Sequence, residues 1–147
     1  MAASIAFYNN WAAQIAETVP RTASFKVTLH TSSYTFAATH QVYADLTNEL
    51  STANGYTNTG LALSSVTFNR SGAVVTFDAA DSVWTASGGS IVARRAVIRA
   101  IGTFNSQVDP LVASVLLDTT PADVTTTAGN TLTLQWNASG IFTVTAL

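Results

Sequence analysis

Two histidines are the first side chains in this sequence whose type suggests chemistry. His30 and His40 are the only histidines of the chain, and a zinc site would need at least a third ligand. Their ten-residue spacing matches no common ligand pattern. We therefore expect no bound metal, with His30 on the polar face of a strand and His40 in a loop.

Two aspartates beside a tryptophan form the second candidate. Asp78 and Asp81 precede Trp84, and a carboxylate pair near an aromatic ring is typical of glycosidases. Calcium would need more oxygen ligands than these two residues supply. The simpler interpretation is that Asp78 ends a strand and Asp81 caps a turn that inserts Trp84. No nucleophile elbow, phosphate loop or dinucleotide fingerprint occurs. We predict no enzyme and no cofactor, with a hydrolase as the alternative.

Three arginines supply half of the positive charge of the chain. Arg94, Arg95 and Arg99 lie on a predicted strand, Arg95 and Arg99 on one face and Arg94 on the other. A nucleic-acid groove usually carries more Lys and Arg and an aromatic platform. With a net charge of −2, we expect no nucleic-acid partner. The arginines are expected to pair with acidic residues at the surface or across a subunit contact.

The N-terminal residues show helical spacing. Apolar residues recur every three or four positions over residues 3–18, and Pro20 follows. This predicts an amphipathic helix that packs on a sheet or serves as an arm docking on a partner subunit. Tyr8 and Trp11 are its anchors, and Ile15 lies on the same stripe.

From Ser24 the period changes to two, as in half-buried strands. About seven or eight short strands follow, including Ile91 to Ile101, with a break at Ser64-Ser65 and a hairpin at Arg70-Ser71-Gly72. Residues 31–60 form a long loop in which Asp45 begins a helical turn or an ordered loop. The pattern predicts a mainly β single domain over residues 1–147, an antiparallel β-sandwich or barrel with one N-terminal α-helix (residues 1–20) and a β core (21–147).

Charge is scarce in this composition. Charged residues make up 10% of the chain, against about 25% in average domains. The stretch before Glu17 and residues 124–147 carry none. A surface so poor in charge is weakly protected against association, so we expect both ends of the chain to form contact surface. Cysteine is absent, and we predict neither a signal peptide nor a membrane span.

Six motifs occur in order over most of residues 24–143. They are Phe25–Tyr34 (FKVTLHTSSY), His40–Leu50 (HQVYADLTNEL), Asn54–Thr57 (NGYT), Gly60–Leu63 (GLAL), Thr76–Ala86 (TFDAADSVWTA) and Trp136–Phe142 (WNASGIF). In this order they resemble a family of small virion structural proteins of tailed bacteriophages. The resemblance implies a non-enzymatic, β-rich particle protein and supplies no catalytic motif. It favours a head decoration (cement) protein, with a tail, neck or fibre component as the alternative.

The expected partners follow from this reading. The first is the major capsid protein or another virion protein, and the second is a further copy of the chain in a homo-oligomer. The expected location is the virion, which is assembled in the host cytoplasm. Another alternative is a carbohydrate-binding β-sandwich on the virion surface, with loop tyrosines stacking on sugars. The interface candidates are Tyr8, Trp11, Ile15, Tyr34, Tyr43, Tyr56, Arg95, Arg99 and Phe142.

Overall fold

The structure, a computed structural model, describes residues 3–9, 23–120 and 122–145. These residues form a mainly β protein with several antiparallel sheets and a 3-10 helix at Tyr43–Asp45. The strands are β1 (Ser4–Phe7), β2 (Ser24–His30), β3 (Leu61–Ala62), β4 (Thr67–Ser71), β5 (Val74–Asp78), β6 (Ser82–Thr85), β7 (Ile91–Ala93), β8 (Arg95–Ile101), β9 (Thr103–Phe104), β10 (Gln107–Val108), β11 (Leu111–Leu116), β12 (Val124–Thr126), β13 (Thr131–Leu134) and β14 (Phe142–Thr145).

The largest sheet has five strands in the order β1-β11-β8-β2-β3, and it is called the central sheet below. Alternation along β2 sends Phe25, Val27 and Leu29 to one face and Thr28 and His30 to the other. All five side chains are buried. Both faces of the sheet are therefore covered, although the alternating sequence predicts one face towards water.

The first face of the central sheet packs on the main core. Phe77 of β5, Trp84 of β6, Ile91 of β7 and Leu132 of β13 meet it there. Strands β6 and β13 pair with each other, as do β7 and β12, and a hydrogen bond from the Ala86 N–H to the Asn130 oxygen extends the β6–β13 ladder towards β7 and β12. Residues 82–93 and 124–134 thus form one long ribbon over the core. A further sheet has the order β14-β5-β4.

The second face lies under the long loop of residues 31–60. Backbone hydrogen bonds join the loop to the sheet: the Leu50 N–H donates to the Leu29 oxygen, and the Leu111 N–H donates to the Gln41 oxygen. Tyr34 of the loop packs with Val97, Leu111 and Tyr8 in a second, smaller core. The loop therefore acts as a covering layer built without regular strands.

The prediction of an N-terminal helix is wrong for its first residues. Ser4–Phe7 is strand β1, which pairs antiparallel with β11 from Ser4 opposite Leu116 to Phe7 opposite Ala113. Pairing with the buried strand β11 supplies hydrogen-bond partners for the backbone of this short segment, and this outweighs its helical spacing. The rest of the predicted helix, including Trp11 and Ile15, lies outside the described residues.

The strand count and one strand boundary also differ from expectation. The described residues form fourteen strands rather than seven or eight, because several predicted strands divide. Residues 91–101 divide at Arg94 into β7 and β8, which belong to different sheets. The Arg94 N–H donates to the His30 oxygen and the Arg94 oxygen accepts from the Leu117 N–H, so the chain passes there from the ribbon to the central sheet.

Several local predictions are confirmed. The protein is mainly β, the hairpin at Gly72 joins β4 to β5, and the break at Ser64-Ser65 separates β3 from β4. The helical turn that Asp45 was expected to begin is not formed: the 3-10 helix ends at Asp45, whose carboxylate accepts the backbone N–H groups of Gln41 and Val42, and residues 46–50 are not helical. Within the described part of the chain, no helix has the length and apolar character that crossing a bilayer requires.

Gly55 sets how closely the loop approaches the ribbon. Its φ is +88°, and a Cβ there would collide with the backbone oxygen of Thr85. Gly129 has a matching φ of +87° with open space around it. We expect Gly55→Ala to destabilise the protein more than Gly129→Ala, which carries only the backbone strain of about 1–2 kcal/mol. Urea unfolding of both variants measures the difference, and equal losses would contradict close packing at Gly55.

Candidate functional site

The loop tyrosines converge on one carboxylate, that of Glu49. Tyr43 and Tyr56 each donate their hydroxyl to it, and the Thr59 N–H donates at 2.7 Å. The Tyr56 hydroxyl also accepts the Leu29 N–H of β2 at 3.2 Å, which ties the group to the central sheet. Burial, reinforced by Glu49, raises the pKa of Tyr43 to about 12 and raises the pKa of Tyr56 as well.

Arg99 lies beneath the same loop and is 3% exposed. Its guanidinium carbon is 3.4 Å from the centre of the Tyr43 ring, a cation–π contact. Nη2 donates to the Thr59 oxygen at 3.0 Å, and Nη1 pairs with Asp109 at 3.3 Å. The predicted partnership of Arg99 with an acidic residue therefore exists, and it lies inside the chain.

The other two arginines of the predicted strand also have partners within the chain. Arg94 forms an ion pair with Asp123 at 2.7 Å. Arg95 donates to the Ser114 hydroxyl at 3.3 Å, and its guanidinium lies 5.7 Å from the centre of the Phe36 ring. Arg95 is half-buried, so the arginines do not form an open basic groove.

The two histidines flank Tyr34 in the second core. The centre of the Tyr34 ring is 4.8 Å from that of His30 and 6.2 Å from that of His40. The Tyr34 hydroxyl lies 2.8 Å from that of Tyr8 and 3.4 Å from His40 Nδ1. Across residues 3–9, 23–120 and 122–145, no group of three or more His, Cys, Asp or Glu residues is placed to hold a metal ion.

His30 is fully buried in its neutral form. Its Nδ1 is 2.9 Å from the Thr47 carbonyl oxygen, which only accepts, so Nδ1 carries the proton. Nε2 then accepts from the Thr28 hydroxyl at 2.9 Å. Burial lowers the pKa of His30, an effect that the Thr47 oxygen and Glu49 partly offset.

Asp78 and Asp81 serve local structure. Asp78 ends β5, as expected, and its carboxylate accepts the Ala79 N–H at 2.9 Å. Asp81 accepts the Trp136 N–H at 2.9 Å, which joins the start of β6 to the end of β13. Trp84 is buried in the main core, as predicted.

Four of the seven predicted interface side chains that the structure describes are buried inside the chain. Tyr8, Tyr34 and Tyr56 are at most 3% exposed, and Arg99 covers the ring of Tyr43. Tyr34 and Tyr56 therefore do not present open rings, and one face of the half-buried Tyr43 ring is covered. Phe142 is half-buried and stacks on Phe77 with ring centres 4.9 Å apart. Trp11 and Ile15 lie outside the described residues.

An uncharged face remains on the outer side of the ribbon. Along it, buried and exposed residues alternate, and the exposed ones on β6, β7, β12 and β13 are Val or Thr. We call this the outer ribbon face, formed by Val83, Thr85, Val92, Thr125, Thr131 and Thr133. Cross-strand pairs place Thr85 opposite Thr131 and Val92 opposite Thr125. Threonine and valine form strands readily, so the same residues both build this surface and leave it without charge.

Sequence analysis missed the two acidic residues that organise the loop. Glu49 and Asp109 were not among its candidates, although Glu49 lies between two loop tyrosines in the sequence. It also missed the apolar edge at Ile5 and Phe7, which are 38% and 41% exposed. Comparison of the chain with protein-family models, curated proteins and solved structures finds no match.

Removing the Glu49 charge tests the loop anchor. We expect Glu49→Gln to lower the free energy of unfolding by about 1–3 kcal/mol, because partly buried hydroxyls lose a charged acceptor. The pKa of Tyr43, raised to about 12 in the intact protein, should fall towards its ordinary value of 10. Urea unfolding and spectrophotometric tyrosine titration measure these effects. Asp118→Asn is the control with equal charge change, since the Asp118 carboxylate bonds to Thr120 at the surface. Equal behaviour of the two variants would contradict the anchor.

The buried neutral His30 makes stability depend on pH. The unfolded chain takes up a proton near the ordinary pKa of 6.5, whereas the folded chain does so only at lower pH. The contribution of His30 to the free energy of unfolding should therefore be complete above pH 6.5. It should fall as the pH drops below 6.5, by at most about 1.4 kcal/mol per pH unit. Urea unfolding between pH 7 and 5 measures the slope. His30→Asn should flatten the slope, and an unchanged slope in this variant would refute the assignment.

Proposed function

We propose that the chain is a non-enzymatic structural protein of a tailed-bacteriophage virion, a decoration (cement) protein that stabilises the head shell. The observation that carries the proposal is the outer ribbon face, an exposed and uncharged strand surface of Thr and Val. The resemblance of the six sequence motifs to virion structural proteins supports the same class.

The chemistry of the outer ribbon face suits docking on a protein shell. Threonine hydroxyls donate and accept hydrogen bonds, and valine side chains contribute apolar area. A partner can cover this surface without desolvating a charge, which is the costly step in burying polar contacts. Many copies on one particle convert weak individual contacts into firm attachment.

The flanks of this face are charged. Asp81 precedes β6 at one end, and the Arg94–Asp123 pair lies by β7 and β12 at the other. An uncharged centre within a polar rim is the usual anatomy of a protein interface. The ribbon therefore has the distribution of charge expected of a docking surface.

The arrangement of layers supports a β-sandwich. We infer that the central sheet forms one layer and that the ribbon with the β14-β5-β4 sheet forms the other. The main core draws buried side chains from both, such as Ile98 from β8 and Leu132 from β13. Alternation of buried and exposed residues along β6 and β13 fits a layer with one wet face.

The roles of the ionisable side chains support a structural rather than an enzymatic protein. Asp78, Asp81 and Glu49 accept hydrogen bonds within the chain, and Arg99 pairs with Asp109. Asp78, Asp81 and Arg99, which sequence analysis considered for catalysis or binding, thus make contacts within the fold.

Copy number and location in purified particles test the proposal. We expect hundreds of copies on the head, seen by quantitative mass spectrometry and by cryo-electron microscopy. Density confined to the tail, neck or fibre would reject the decoration role and keep a virion role, and absence from particles would overturn both.

A charge introduced on the outer ribbon face tests how the protein docks. Thr133→Lys should lower occupancy on the particle by at least about tenfold, because a buried unpaired charge costs more than 1.4 kcal/mol. Thr67→Lys is the matched control, since Thr67 is an exposed strand threonine on β4. Equal occupancy of the two variants would place the docking surface elsewhere.

A further inference from the structure

The outer edge of β1 has no strand beside it among the described residues. β1 is the terminal strand of the central sheet, paired on one side with β11. The Tyr8 N–H donates to the Val112 oxygen, so Tyr8 faces β11. Because direction alternates along a strand, Ser4 and Ala6 face β11 as well, while the backbone groups of Ile5 and Phe7 face outwards.

The outward edge has a defined end. Asn9 follows the strand, and its N–H donates to the Ala38 oxygen of the long loop at 2.9 Å. The loop therefore occupies the edge at residue 9. The outward donors and acceptors of β1 are those of Ile5 and Phe7, two N–H and two C=O groups.

The side chains at this edge are apolar and the strand is uncharged. Ile5 is 38% exposed and Phe7 is 41% exposed, and β1 contains neither a proline nor an ionisable side chain. Edge strands in soluble proteins usually carry such residues to block pairing with another chain. β14, which Phe7 contacts through Phe142 with ring centres 5.2 Å apart, is likewise uncharged.

We propose that β1 pairs antiparallel with β1 of a second copy, which joins the two central sheets in a two-fold symmetric dimer. This interaction goes beyond the proposed function and does not depend on a virion. A second copy fits because its edge is the same short, uncharged strand, so docking buries no charge. The net charge of −2 per chain also adds little repulsion between copies.

Two-fold symmetry and the bounds of β1, Ser4–Phe7, favour the register that pairs only residues within the strand. When Ile5 faces Phe7 of the second copy, every outward N–H and C=O of both strands is used, in four hydrogen bonds. The Asn9–Ala38 bond remains intact. Each Ile5 then lies directly opposite a Phe7, a favourable cross-strand pair that covers both exposed side chains.

In this register Ala6 lies on the two-fold axis. It faces Ala6 of the second copy in a non-hydrogen-bonded pair, whose Cα atoms are about 4.5 Å apart. The two Ser4 residues are then four residues apart along the strands, about 13 Å, beyond the roughly 7 Å reach of a disulfide. Position 6 should therefore cross-link to its own copy, and position 4 should not.

The absence of cysteine from the chain makes this a clean experiment. Under mild oxidation, Ala6→Cys should form a covalent dimer, and Ser4→Cys, on the same strand and face, should remain monomeric on non-reducing gels. Cross-linking of both variants, or of neither, would overturn the proposed register.

A proline at Ile5 tests the dimer without a cross-link. The Ile5 N–H faces outwards, so Ile5→Pro removes an intermolecular donor and leaves the pairing with β11 intact. By light scattering over a wide concentration range, the unmodified protein should reach twice its 15.4 kDa mass, and Ile5→Pro should stay at 15.4 kDa. Ile5→Val, which keeps the N–H, should still dimerise. A monomeric unmodified protein, or a dimeric Ile5→Pro that retains its β circular dichroism, would refute the proposal.

Discussion

The loop of residues 31–60, which covers the second face of the central sheet, depends on the carboxylate of Glu49. This carboxylate accepts hydrogen bonds from Tyr43, Tyr56 and the Thr59 N–H, and so gathers a loop of about thirty residues at one point. Tyr56 passes the connection to the Leu29 N–H of the central sheet. An irregular loop has few backbone ladders of its own, so a charged acceptor with several donors supplies what strand pairing supplies elsewhere.

Closing the loop over the sheet changes what the polar residues beneath it do. Thr28, His30, Ser114 and Arg99 lie on the covered face and are at most 3% exposed. Each needs a partner inside the chain, because an unpaired polar group away from water is costly. His30 finds Thr28 and Thr47, and Arg99 finds Asp109 and Thr59. The loop thus buries the side chains that are best suited to binding charged partners.

Many of the few charged side chains make contacts within the chain, and the protein, 10% charged, leaves large areas neutral. Asp45, Asp81 and Asp118 accept nearby backbone N–H groups, and Arg94 and Asp123 pair with each other. The outer ribbon face and the edge of β1 carry no charge. These surfaces differ in chemistry: the ribbon presents hydroxyls on an exposed face, whereas β1 presents backbone groups, so they suit different partners.

The sequence by itself determined the β class, the hairpin at Gly72, the break at Ser64-Ser65 and the burial of Trp84, because period, turn residues and apolar size act locally. It also located the charge-poor ends of the chain. Only the tertiary structure decided that Ser4–Phe7 forms a strand, since β11 supplies its backbone partners from more than 100 residues away. Likewise, alternation along β2 and β8 predicts a solvent-exposed face of the sheet. In the structure, the loop anchored by Glu49 covers this face and buries His30 and Arg99. Contacts so distant in sequence leave no periodic signal, so local patterns alone do not reveal them.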